Sequence, residues 1–142
     1  MKYLIIDKRQ RVEIEGANEI PTASVRLIEE LNKRNIEYDF IYNDQLEFIF
    51  TKSNASIFAN NIDITEYTHI IFRGHSLDND KEYHFKKYII DYIDKYNEEN
   101  PERKILIQNS EAIKNFPYYN KIAIAMLCHK NDLPHFDTYF RS

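Results

Sequence analysis

The sequence predicts an α/β fold, with one open, mostly parallel sheet, helices on both of its faces and a β-hairpin inserted into it. Three observations point there. Short apolar runs at residues 3–6, 68–72 and 104–108, and a run at 36–42 that alternates like a strand, are separated by stretches whose apolar residues keep helical spacing. The first run, Tyr3-Leu4-Ile5-Ile6, is apolar at every position, as a strand covered on both faces must be. Two further runs, 46–51 and 56–59, are joined only by Lys52-Ser53-Asn54-Ala55, which reads as a hairpin with Asn54 in its turn.

The elements follow in order. The first strand ends at Asp7, and residues 8–19, polar and holding Gly16, read as a loop. Pro21 and Thr22 signal a helix start, and Ser24, Leu27, Ile28 and Leu31 keep the period up to Asn35. The strand at 36–42 precedes the hairpin, and the strand at 68–72 stops at Arg73-Gly74. Asp78, Asn79 and Asp80 offer caps for the clearest helix. There Phe85, Tyr88, Ile89, Tyr92, Ile93 and Tyr96 form one stripe, with Lys87, Asp91 and Lys95 on the other side. Pro101 marks the return to the strand at 104–108. A short helix then runs from Ser110 to Phe116, and a second from Lys121 to Lys130 behind Asn120. Residues 135–140 read as extended. Strands alternating with helices imply right-handed crossovers and a Rossmann-like sheet. Residues 1–118 read as that domain and 119–142 as a segment leading out of it.

Composition bounds the function. The chain has 142 residues, enough for one domain with a real core, and its charged residues are interleaved in sign. A net charge of −4 disfavours a nucleic-acid partner, because phosphate neutralisation needs clustered Lys and Arg. The lone cysteine, Cys128, allows no internal disulfide and fits a reducing compartment. No apolar run reaches the ~18 residues of a membrane helix or looks like a signal peptide, so the protein reads as cytoplasmic, with no membrane partner. Two glycines in the whole chain cannot build a Walker loop or a dinucleotide fingerprint. The five histidines, His69, His75, His84, His129 and His135, show no ligand spacing, so no metal site is expected.

Ligands in such sheets bind beyond the carboxyl ends of the strands. Those ends are Asp7, Asn43, Arg73 and Asn109. Arg73 can grip a carboxylate or phosphate with its two-pronged guanidinium, and His75 and Asp78 share its loop. A structural alternative ties Arg73 to Asp7 or to the loop acids. Cys128, between Ile124 and Leu127, reads as a core thiol, and Tyr88, Tyr92 and Tyr96 read as packing.

The stretch Ile105-Leu106-Ile107-Gln108-Asn109-Ser110-Glu111-Ala112-Ile113 carries a family likeness, continued by Asn120-Lys121-Ile122-Ala123-Ile124 and Leu133-Pro134-His135-Phe136-Asp137-Thr138. Together they resemble the end of the N-terminal domain of ATP-grasp ligases, in the glutathione-synthetase and RimK-like branch. The likeness is motif-like over residues 105–138 and elsewhere a matter of layout, including an arginine after a central strand, as at Arg73. It implies a substrate-side domain of an ATP-dependent carboxylate–amine or carboxylate–thiol ligase that works through an acyl phosphate. Lys121 would then contact the nucleotide phosphates, although Asn120 stands where many members carry Asp. Arg73, Asn109, Asp7 and His75 would line the substrate side, for small-molecule or peptide carboxylates and amines. ATP and magnesium would serve the full-length parent and bind this chain alone weakly, and the sequence reads as a fragment of that parent. The catalytic residues, the substrates and the oligomeric state stay open. The competing readings are a stand-alone binding or interaction module and, weakest, a small complete enzyme using Asp7, Arg73, His75 and Asp78.

Overall fold

The computed structural model describes residues 1–8, 20, 22–73, 80–115, 121–134, 137 and 139. The main sheet holds four strands: β1 (Lys2–Asp7), β2 (Glu37–Tyr42), β6 (His69–Phe72) and β7 (Leu106–Ile107). They lie in the order β2-β1-β6-β7, with every neighbouring pair parallel. All four sequence-predicted strands are therefore members. β7 is shorter than the run at 104–108 suggests, although Leu106 and Gln108 still donate backbone N–H groups to Thr68 and Ile70, at 3.0 Å each.

β1 is central, and Leu4, Ile5 and Ile6 are buried. In register, Ile6 faces Ile41 on one side and Phe72 on the other, and Leu4 faces Ile70. These residues form one face of the core with Ile89, Ile90 and Ile93 of α2 (Asp80–Glu99). Alternation along β1 turns Ile5 and Asp7 to the opposite face. There Ser24, in the first turn of α1 (Thr22–Lys33), is bonded to Asp7. Helices thus cover both faces. α1 ends where Asn35 turns left-handed, at φ 52°; Ile36 N–H returns to Leu31 O at 3.0 Å and Asn35 N–H to Asn32 O at 3.1 Å. This Schellman pattern satisfies carbonyls that the helix end would otherwise leave open.

The hairpin is a separate antiparallel sheet of β3 (Leu46–Phe50), β4 (Ala55–Ala59) and β5 (Ile62–Asp63), in that order. β5 escaped the sequence reading. It is joined to β4 by Asn60 and Asn61, both at positive φ (49° and 65°), the geometry of a type I′ turn. Ile57 and Ala59 of β4, with Ile64 and Tyr67 beyond β5, extend the core on the α2 side.

That arrangement corrects the stripe expected on α2. Its buried side runs through Lys86, Ile89, Ile90 and Ile93, whereas Phe85 and Tyr88 are 38% and 53% exposed. The main sheet takes the isoleucine ridge, and the aromatic flank turns toward the hairpin, where Phe85 stacks on Phe48 at 5.3 Å. Lys87 and Asp91 pair on the solvent side as expected, at 2.6 Å.

Asn97 of α2 holds the start of β7 with its side-chain amide, accepting from Ile105 N–H at 2.8 Å and donating to Ile105 O at 2.9 Å. α3 (Ser110–Asn115) is tied to α2 through Lys114, 2.5 Å from Asp94. In α4 (Lys121–Lys130) no described side chain is fully buried, so Cys128 is half-buried and not a core thiol. Among the described residues no helix is long and apolar enough to cross a membrane. All of the loop expected at 8–19 but Lys8, the caps Asp78 and Asn79, residues 116–120 and most of 135–140 lie outside the described residues.

Candidate functional site

The order β2-β1-β6-β7 means the chain leaves β1 toward one side of the sheet for β2 and builds β6 and β7 on the other. Connections then depart in opposite directions from the carboxyl ends of β1 and β6, and in open α/β sheets this reversal opens the ligand crevice. Asp7 closes β1, and Arg73 follows β6 directly. Arg73 N–H donates to Ile6 O at 2.7 Å, so the strands stay paired up to the rim. Since Ile6 faces Phe72, Asp7 and Arg73 occupy the next positions of the register and share the α1 side of the sheet.

Asp7 is 2% exposed. Its Oδ1 accepts from Lys8 N–H at 2.7 Å and its Oδ2 from the Ser24 hydroxyl at 2.5 Å. A buried carboxylate needs such donors, because without them its desolvation would cost several kcal/mol. Asp7 therefore acts as a fixed negative post that shapes the rim. Arg73 beside it is only half-buried.

On the other face, Lys86 is 8% exposed and its Nζ lies 5.9 Å from the centroid of the Phe72 ring. Among the described residues, the polar side chains that are buried are Asp7, Ser24 and Lys86. Asp7 and Ser24 stand at the end of β1, and Lys86 packs on the last residue of β6. The end of β6 is thus flanked by a cation on each face of the sheet. With the Asp7 carboxylate held by its own donors, the planar guanidinium of Arg73 suits the grip of an anionic ligand.

Asn109 lies just past β7, on the same edge and one strand further on. It is exposed, left-handed at φ 59°, and its carbonyl accepts from Ile113 N–H at 3.0 Å, opening α3. His75 lies outside the described residues. Lys121 is the first residue of α4. The structure brings Asp7 and Arg73 together at the reversal and places Asn109 along the same rim. Among the described residues, no three His, Cys, Asp or Glu side chains gather as a metal ion would require.

Sequence reasoning missed Ser24 and Lys86 as rim residues. Both carried a signal. Lys86 falls three, four and seven residues before Ile89, Ile90 and Ile93, a lysine on an apolar face. Ser24 falls three and seven residues before Leu27 and Leu31, a hydroxyl on the face that α1 turns inward.

No protein-family model, curated protein or solved structure matches the chain.

Proposed function

We propose that the domain holds a small carboxylate- or phosphate-bearing molecule at the rim between β1 and β6. In this reading it is the Rossmann-like, substrate-side domain of a cytoplasmic ATP-dependent carboxylate–amine ligase. One observation carries the proposal: Arg73 stands where the strand order reverses, next in register to the anchored Asp7. The motif likeness over residues 105–138 supplies the reaction class, and it assigns Lys121, at the start of α4, to nucleotide phosphates. ATP and magnesium would supply phosphoryl activation of the bound acid. What this chain's own residues contribute is the grip, with Arg73 orienting the anion and Asp7 and Ser24 fixing the strand end beneath it.

Titration calorimetry with amino acids, dicarboxylates and inorganic phosphate tests the grip. A bound anion should lose at least about tenfold in affinity in both Arg73→Ala and Arg73→Lys, because an ammonium cannot reproduce the bidentate fork. Melting midpoints of both variants should stay near the parent's. Equal affinity in all three proteins removes Arg73 from the site. A large loss of midpoint in Arg73→Ala instead makes it a structural tie. A second reading, a binding module without catalysis, is favoured by Asp7, whose two oxygens are both engaged inward. Adding Mg·ATP to the anion complex separates the two. Tighter anion binding in the presence of nucleotide, lost on Lys121→Ala, supports the ligase reading, and indifference to nucleotide supports the module.

A further inference from the structure

β3 is the outer strand of the hairpin sheet. β3 pairs with β4 from Leu46↔Ala59 to Phe50↔Ala55, and the hairpin closes with Thr51 N–H donating to Asn54 O at 2.8 Å. In an antiparallel ladder, backbone groups alternate between the partner strand and the far side. Thr51, Ile49 and Glu47 therefore turn their N–H and C=O groups to β4, and Phe48 and Phe50 turn theirs outward. Among the described residues nothing pairs with that edge. Its side chains are exposed too: Phe50 at 67% and Ile49 at 41%. Natural edge strands are usually blunted by charged residues (Lys above all), Pro or a bulge, and Leu46-Glu47-Phe48-Ile49-Phe50 holds neither Lys nor Pro and a single charge, Glu47.

We infer that β3 is a self-association edge, pairing antiparallel with β3 of a second copy of this chain about a two-fold axis through Ile49. Charge selects this occupant and direction. Glu47 lies at one end of the strand and Lys52 just past the other. A parallel pairing sets Glu47 against Glu47, whereas the antiparallel pairing brings each Glu47 end to the other copy's Lys52 turn. Register follows from the same residues. Centred on Ile49, the pairing sets Ile49 on Ile49, Phe48 on Phe50 and Glu47 on Thr51. A shift to Phe48 as centre would press each Glu47 carboxylate against Ile49. In the favoured register the outward groups of Phe48 and Phe50 meet those of Phe50 and Phe48, and two three-stranded sheets become one of six. The Phe48, Phe50 and Phe85 rings, stacked within one copy at 6.5 and 5.3 Å, would continue across the axis.

Sedimentation equilibrium over a concentration series tests this. The chain should form dimers, and Ile49→Lys should raise the dissociation constant at least about tenfold by setting two ammonium groups face to face. Lys52→Glu should also weaken the dimer, and adding Glu47→Lys to it should restore most of the loss. Unchanged thermal melting of these surface variants shows that the fold is retained. Hydrogen exchange supplies an internal control. The amides of Phe48 and Phe50 should slow as concentration rises, whereas that of Ile49, bonded within the hairpin, should not respond. A chain that stays monomeric up to about millimolar concentration, where even weak specific pairs associate, overturns the inference. So does a dimer indifferent to Ile49→Lys, or an edge that binds extended peptides of other proteins without self-association.

Discussion

At the amino ends of β1 and β6, Tyr3 and His69 stack ring on ring with centroids 4.3 Å apart, and Thr68 Oγ1 lies 2.9 Å from His69 Nδ1. Burial, and then the charge of the N-terminus, hold the His69 ring below its ordinary value of 6.5. The folded state thus prefers neutral imidazole. His69 contributes its full stability above 6.5, and that share is lost as pH falls from 6.5 through the lower folded-state value. His69→Phe keeps a ring for the stack and cannot take up a proton. Its urea midpoint should vary less than the parent's between about pH 7 and about pH 5, the range where an ordinary histidine charges. Parallel profiles would show that the ring titrates alike in both states. Nearby, Asp39 accepts from Tyr67 at 2.6 Å and from Lys2 at 2.7 Å. Burial is the largest single influence and pushes its carboxyl up, but the two bonds and the charge of Lys2 together outweigh it and hold Asp39 below its ordinary value. Tyr67 is raised in turn, by burial first and by Asp39 second. None of these partnerships was legible in the sequence, since Lys2, Asp39 and Tyr67 meet only once β1, β2 and the segment before β6 lie side by side.

α2 shows what periodicity can and cannot reveal at the scale of an element. Its existence was plain from the run of apolar residues, but a stripe of six residues fits two neighbouring faces. The hairpin decided between them by stacking Phe48 on Phe85, which left the main sheet to Ile89, Ile90 and Ile93. Single substitutions can read that rotation. Ile89 is 0% exposed, so Ile89→Asp should unfold the domain, since an unpaired carboxylate there costs about as much as a small domain's whole stability. Ile89→Val should cost about 0.5–1.5 kcal/mol by urea denaturation. Phe85→Ala, at a site 38% exposed, should cost less than Ile90→Ala, although it removes more carbon. The reverse order would return the aromatic stripe to the core. β5 was hidden for a different reason. Two residues carry no alternation, and the signal that does exist, the left-handed pair Asn60 and Asn61, lies in the turn before it. The four parallel strands, by contrast, were legible because three are apolar runs bounded by polar residues and the fourth, at 36–42, alternates apolar with polar.

Over the whole molecule, order is unevenly distributed. The parallel core is closed by large buried side chains, whereas α4 is ten residues long and has no fully buried side chain among those described. A helix of that length is marginal in water without packing. Heating followed by circular dichroism at helix wavelengths should therefore show a shallow early loss from α4 before the cooperative transition of the core. Met126→Ala, at a side chain 68% exposed, should leave the main midpoint unchanged. A single sharp transition that Met126→Ala lowers would place α4 in the same cooperative unit as the sheet.

The strand that Asn97 secures also decides how the domain responds to tension. β1 is gripped along its six-residue length by β2 and on its other side by β6, so a pull on the amino end loads many bonds in shear. β7 offers two residues with no outer neighbour among the described residues, backed by Asn97 and, beyond it, by the Lys114–Asp94 pair. A pull on the carboxyl side would peel β7 and α3 from the sheet while β2, β1 and β6 still held together. The domain would thus shed everything from β7 onward at low force and keep the strand ends at Asp7 and Arg73 paired until a much higher one.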